Sequence, residues 1–323
     1  MPCWPKKINT GRSQLLKKIG KLFGPRKNQD ESLGNSLEIP TIPIATDAIH
    51  PQPVDVVIQK YPDLPQFIVG SAQSIGMARD HNEDAILVMS TLSANNGGHL
   101  PIGLFIVADG MGGHKHGEIA SSLAVRTVAR EVLRKVMIGL LEIHPTPPEE
   151  GIQEILEQSV SEAHRIIMRE AQGGGTTLTA VLIVNKQMSI AHVGDSRAYA
   201  ITPEGQVSLL TRDHSLVKRM MELGHLTEEE ASIHPQRNVL YRALGQGEPF
   251  RPDISTTLVP TPGYLLLCSD GLWGLVAQSE IVRIIQSAPS PEMACQMLID
   301  AANQAGGPDN ISAILVKLPV YPN

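Results

Sequence analysis

The chain has 323 residues, 27 Lys and Arg against 33 Asp and Glu, and 42% hydrophobic but only 3% aromatic residues. Such a length suits one large or two ordinary domains, and Leu, Ile, Val and Ala must fill the core. Its three cysteines, Cys3, Cys268 and Cys295, are odd in number and lack CxxC spacing, which argues against a disulfide framework or a cysteine zinc site and suits a reducing compartment.

The formal charge of −6 is unevenly spread. Residues 1–29 hold eight Lys or Arg and no acid, leaving 19 basic against 33 acidic side chains for the rest. In this arm Leu15, Leu16, Ile19, Leu22 and Phe23 share one helical face, while Lys17, Lys18 and Lys21 fall elsewhere on the same turns. Residues 12–23 therefore read as a basic amphipathic helix for an anionic membrane surface or a regulatory partner. The alternative is a solvated tail with chance periodicity. Residues 30–65, with Pro40, Pro43, Pro51, Pro53, Pro62 and Pro65 and little periodicity, read as a linker. No apolar run approaches the ~20 residues of a spanning helix, and the basic start leads into no apolar signal core. The expectation is a cytoplasmic chain, peripheral at a membrane at most through its arm.

From Phe67 the pattern becomes globular. Arg79-Asp80-His81-Asn82-Glu83-Asp84 sets an acidic pair at the head of a strand, Ala85 to Met89. The apolar run Leu104 to Ala108 ends in Asp109-Gly110-Met111-Gly112-Gly113-His114, a buried strand followed by a glycine-marked turn. Ala120, Leu123, Ala124 and Val128 mark one helix, and Ile152, Ile155, Leu156, Ala163, Ile166 and Ile167 a second, with Pro145 to Pro148 between them. Gly173-Gly174-Gly175 lacks Walker-type spacing and reads as a turn before a buried strand, Thr177 to Val184. Met188 to Val193 and Arg197 to Ile201 form a strand pair around Gly194-Asp195. Within the polar segment 211–250, Thr227 to Glu230 has capping-box spacing and Gly224 can end a short helix. His214, His225 and His234 lie here at spacings that specify no metal site, and read as structural. A further apolar run, Leu265 to Leu267, ends in Cys268-Ser269-Asp270-Gly271. Ser290-Pro291-Glu292 starts a helix, and Asp309-Asn310 precedes a last strand, Ile311 to Leu318.

One acid at a turn is ordinary, since Asp-Gly is a common turn pair. Five acid-bearing strand ends are not. Carboxylates gathered together repel one another unless a cation neutralises them, and this pattern suggests hard metal ions bound through oxygen.

The blocks RDHNED at 79–84, VADGMGGH at 107–114, GGGTTLTAVLI at 173–183, AHVGDSRAYAI at 191–201, LTRDHSLV at 210–217, HPQRNVLYRALG at 234–245, CSDGLWGLV at 268–276 and GGPDNISAILV at 306–316 stand in one order. Together they resemble a metal-dependent protein phosphatase of the PPM family, the type 2C serine/threonine phosphatases, in its bacterial form. The resemblance covers residues 66–318, leaving 319–323 as a C-terminal tail. It implies an α+β fold, an α-β-β-α sandwich of two antiparallel sheets flanked by helix pairs, following a disordered N-terminal extension.

The resemblance also implies an activity: hydrolysis of phosphoserine or phosphothreonine on protein substrates, by a hydroxide bridging two Mg²⁺ or Mn²⁺ ions. Asp109 then bridges both ions, and the Gly110 carbonyl, Asp84, Asp270 and Asp309 complete their shells, partly through water. Asp195 matches the acid that recruits a third ion in bacterial members. Glu83 and Asn310 stand behind these ligands, and Arg79 matches the arginine that holds the substrate phosphate. Spacing alone leaves Arg79 open as a surface arginine paired with Glu83. Segment 211–250 becomes the family's flap. Many eukaryotic members have a histidine, the proposed general acid, where this chain has Met111. The role then falls to His114, to metal-bound water or to no residue, and His114 is equally readable as a loop histidine. The rival class is an inactive phosphatase-like binding module, which would usually lack a metal carboxylate. A nucleic-acid partner is not expected, because no base-reading motif is present and the main domain is acidic. A monomer is expected.

Overall fold

The computed structural model describes residues 66–95, 98–112 and 115–320. The basic arm 1–29, the linker 30–65 and His114 therefore lie outside the described residues, as do the last three of the tail.

The described chain begins with strands β1 (Ile68–Ser74), β2 (Ala85–Asn95) and β3 (Gly98–Ala108), then the two-residue β4 (Gly110–Met111). Helix α1 (Lys115–Val132) continues through a π-helical turn at Leu133–Met137, and α2 (Ile152–Glu170) follows. Next come β5 (Gly175–Thr176), β6 (Leu178–Val184), β7 (Gln187–Val193), β8 (Arg197–Ile201) and β9 (Val207–Leu209). Short helices α3 (Leu216–Glu222) and α4 (Glu228–Ser232) precede β10 (Asp253–Leu258) and β11 (Gly263–Cys268). Helices α5 (Asp270–Trp273), α6 (Gln278–Ser287) and α7 (Pro291–Gln304) and strand β12 (Ile311–Leu318) close the chain.

The strands make two five-stranded antiparallel sheets, ordered β1-β12-β11-β8-β9 and β10-β7-β6-β3-β2. Both faces of the central strands are covered, which is why β3, β6, β11 and β12 read as near-continuous apolar runs. In β3 successive side chains go to opposite faces. Leu104, Ile106 and Ala108 join the core formed with α1 and α2, while Phe105 and Val107 join the core between the sheets. On the far side, α6 and α7 bury Ile284, Leu298 and Ile299 against Leu266, Cys268 and Leu315. Cys268 and Cys295 both lie buried and unbonded. The result is the expected α-β-β-α sandwich. No described helix is long and apolar enough to cross a membrane.

The local signals act as expected. Ser290 caps α7 by accepting from Met293 N–H at 3.2 Å, with Pro291 in the first turn. Thr227 and Glu230 exchange both bonds of the capping box. Gly224 follows the end of α3 with φ +73°.

Register gathers the acids. Ala85 pairs with Ala108, so Asp84 and Asp109 leave the sheet side by side. Val107 pairs with Thr179, and Leu178 with Val193, bringing the turn after β7 to the same end. In the other sheet Cys268 pairs with Arg197 and Ala313, which adds the start of α5 and the loop before β12.

Phe105 has no exposed surface and meets the edge of Phe67 at a centroid distance of 5.9 Å. Phe105→Ala is expected to cost about 3–5 kcal/mol, read as a lower urea midpoint with unchanged m-value.

Candidate active site

At that end of the sandwich opens a cleft of about 220 Å³, walled by Glu83, Asp109, Gly110, Asp195, Asp270 and Asp309, with Arg79 the only cation among its described lining residues. Asn238 and Leu240 reach it from the segment 211–250.

Asp109 follows directly on β3. Its N–H donates to Thr177 Oγ1 at 2.9 Å, and its carbonyl accepts from Thr177 N–H and Thr176 Oγ1, both at 2.9 Å. The Gly173–Gly175 run thus does more than turn. Through Gly175 and Thr176 it pairs with Met111 and Gly110, and so braces the acid loop. At Gly110 a Cβ would lie 2.4 Å from the Gly117 carbonyl oxygen and 2.5 Å from that of Glu83, so only glycine fits.

Asp84 is not in the cleft wall but buried behind it, at 8% exposure. Its Oδ2 accepts from Ser312 Oγ at 2.6 Å and Ser269 Oγ at 2.8 Å. Neighbouring Glu83 reaches the wall itself, its N–H held by Asn310 Oδ1 at 2.8 Å. The Asn310 amide also donates to the carbonyls of Ile75 and His81, both at 2.9 Å, tying the 75–83 loop to β12. Arg79 Nη2 donates to Asp309 Oδ2 at 2.8 Å, so its partner is a cleft acid rather than Glu83. Asp195 sits in the tight turn between β7 and β8. There Gly194 has φ +102°, and a Cβ on it would strike Thr177 at 2.6 Å.

The electrostatics follow from crowding. Burial and then the Asp84 and Asp270 charges push Asp109 well above the ordinary carboxylate range. Burial raises Asp84 to about 7, against the lowering effect of its two serine donors. Burial and then Asp309 raise Asp270 to about 6. Asp195 is also raised, by burial and then Asp270. Asp84 Oδ1 and Asp270 Oδ1 are buried without any hydrogen-bond partner. Unpaired buried carboxylate oxygens are costly, and their lone pairs are available to a cation.

The structure brings Arg79, Glu83, Asp109, Gly110, Asp195, Asp270 and Asp309 into one cleft, with Asp84 and Asn310 behind it. His114 falls outside the described residues. His214, within segment 211–250, is buried: its Nδ1 accepts from Gly194 N–H at 3.1 Å, and its Nε2 lies 3.1 Å from Asp253 Oδ2. The sequence reading missed Thr177, Ser269 and Ser312, which hold the two adjacent acids. A hydroxyl residue directly before Asp270 and directly after Ile311 was visible, but nothing local showed that both would meet Asp84.

Raised carboxyl pKa values mean that the folded, metal-free chain binds more protons than the unfolded chain between the ordinary value of 3.8 and about 7. That stabilising contribution is complete below about 4 and is lost as pH rises to about 7. Chelator-treated protein should therefore melt at a lower temperature at pH 7.5 than at pH 5.5, with the loss smaller in Asp84→Asn. Calorimetric scans at both pH values measure this.

The family model of protein phosphatase 2C matches residues 68–311. A putative protein phosphatase 2C-type of Streptococcus pyogenes is 38% identical over 246 residues, 75% of this chain and 94% of that protein. The solved serine/threonine phosphatase of S. agalactiae aligns with a TM-score of 0.67 and 34% identity over 78% of this chain and 99% of its own. The catalytic domain of the serine/threonine phosphatase PstP, in complex with 2 manganese ions, aligns with a TM-score of 0.62 and 28% identity over 79% of this chain and 99% of its own. With the sandwich and its acid-lined end described, these matches make the chain a member of the protein phosphatase 2C family, a bacterial-type PPM serine/threonine protein phosphatase.

Proposed function

We propose that this phosphatase works with two divalent cations, Mg²⁺ or Mn²⁺, held in the acidic cleft, with Asp195 available to a third. The observation that carries this reading is the pair of buried, partnerless oxygens on Asp84 and Asp270 amid mutually repelling acids. The donors suit hard cations: carboxylates and a peptide carbonyl, with no thiolate or imidazole among the described lining residues. Among the described residues no three His, Cys, Asp or Glu side chains close on one point.

Asp109, the Gly110 carbonyl, Asp84, Asp270 and Asp309 would hold the ions, partly through water, with Glu83 beside them. When bound, such a pair supplies a water of lowered pKa as nucleophile and positive charge for the transferring phosphoryl group. Arg79 binds and orients the phosphate of a phosphoserine or phosphothreonine through its planar fork of donors. Its present pair with Asp309 is half-exposed and of a kind worth about 0–1 kcal/mol, so a phosphate dianion can displace it. Met111 carries no proton to give, which leaves the leaving-group proton to His114 or to water.

Phosphate release from a phosphothreonine peptide should depend on Mn²⁺, stop with EDTA and be far slower on a phosphotyrosine peptide. Asp109→Asn and Asp270→Asn should each lose activity by orders of magnitude while keeping the far-UV circular dichroism of the parent. Most of the activity surviving in either at saturating Mn²⁺ would sink the two-ion reading. Arg79→Ala should raise KM more than it lowers kcat, because the contact precedes the transition state, and Arg79→Lys should rescue poorly. An unchanged KM would return Arg79 to a structural role.

A separate reading concerns residues 12–23, whose apolar face and lysines fit an anionic membrane surface. Each large apolar side chain contributes roughly 1.5–3 kcal/mol when fully buried, and each nearby Lys or Arg about 1 kcal/mol against an anionic leaflet. The full chain should co-sediment with anionic vesicles at low salt. A chain beginning at Gln66 should not, yet should keep its activity on a small phosphoester. Equal sedimentation of the two would remove the arm from the account.

A further inference from the structure

Asp195, buried, and Asp270, partly buried, both line the cleft, and their charges oppose one another. Asp195 sits in the turn from β7 to β8 and Asp270 just beyond β11; β8 and β11 are neighbours, but their ladder ends at the pair Arg197 and Cys268, two residues short of either acid. Past the last ladder pair, two like charges spread unless a further contact ties the two turns. Trp273, three residues after Asp270 in α5, makes that join. Its Nε1–H donates to the carbonyl oxygen of Asp195 at 3.0 Å.

The indole is held in turn. The Arg197 guanidinium lies over its ring, 3.5 Å from the centroid. Arg197 cannot swing away, because Nε and Nη2 fork onto Asp213 at 3.0 and 2.7 Å and Nη1 donates to the Tyr199 hydroxyl at 3.0 Å. Asp213 is 4% exposed, so this pair is shielded from solvent. Tryptophan is the one side chain with both a broad face for a cation and a single edge donor. Arginine adds what lysine lacks, a flat cation that stacks and forks at once.

We propose that Trp273 is a positioning residue that fixes the separation of Asp195 and Asp270, with Arg197, locked to Asp213, as the platform for its ring. The inference rests on the reading of both acids as cation ligands. Trp273 and Arg197 are not among the described residues that line the acidic cleft. They set how far apart two of the donors stand, and so which ion shell the Asp195 donor can complete.

The test is a calorimetric titration of the full chain with Mn²⁺, which resolves classes of sites without any turnover. Asp195→Asn is the reference and should abolish one class. Trp273→Phe keeps the ring face and deletes the N–H. It should weaken that same class about tenfold, the ratio that corresponds to about 1.4 kcal/mol, and leave the tighter sites alone. Arg197→Lys should act in the same direction, and it carries the comparison if Trp273→Phe does not fold. A Trp273→Phe isotherm that superimposes on the parent, while Asp195→Asn loses a class, would overturn the positioning role and leave the metal reading standing. Equal weakening of every class with a lower Tm would assign Trp273 to general folding, and so overturn it too. An unchanged isotherm in Asp195→Asn would overturn the proposal together with the reading of Asp195 beneath it.

Discussion

The arrangement depends on one electrostatic constraint: carboxylates from both sheets are held closer together than their charges permit. Asp84, Asp109, Asp195 and Asp270 each have a carboxyl pKa raised by burial and then by neighbouring acids, Asp309 among them. Nothing in the cleft itself relieves this, since Arg79 is the only described lining cation and already serves Asp309. The rigidity of the sandwich supplies the opposing force. Register places the strand ends, hydroxyls of Thr177, Ser269 and Ser312 fix the acids, and close-packed cores on both faces of each sheet keep the ends from spreading.

That division of labour explains what was legible in the sequence. The apolar runs announced strands because both faces are buried, and helix faces such as Ile155, Leu156, Ala163 and Ile167 kept their period. Caps at Thr227 and Ser290 are local hydrogen bonds and could be read locally. The acids could be listed from their place after apolar runs, because a ligand at a strand end has a local signature.

The supports had no such signature. Asp84 meets Ser312 across 228 residues, and Trp273 meets Asp195 across 78. Pairings of that length are set by strand order, which the sequence pattern leaves open. Taken locally, the glycines at 173–175 signal only a turn. Their pairing with the Gly110 loop depends on β6 lying beside β3. Arg79 shows the same limit, since its partner Asp309 lies 230 positions away rather than four.

A last consequence comes from the core beneath the site. Cys268 lies two residues from Asp270, at the end of β11, and Cys295 faces the same cluster from α7. Burial holds both thiols at about 12. At cellular pH almost no thiolate forms, and the thiolate is the form that reacts with peroxides and alkylating agents. A cysteine next to the cleft acids would ordinarily make a hydrolase sensitive to oxidative stress. Here the two described thiols are withdrawn from that chemistry by burial.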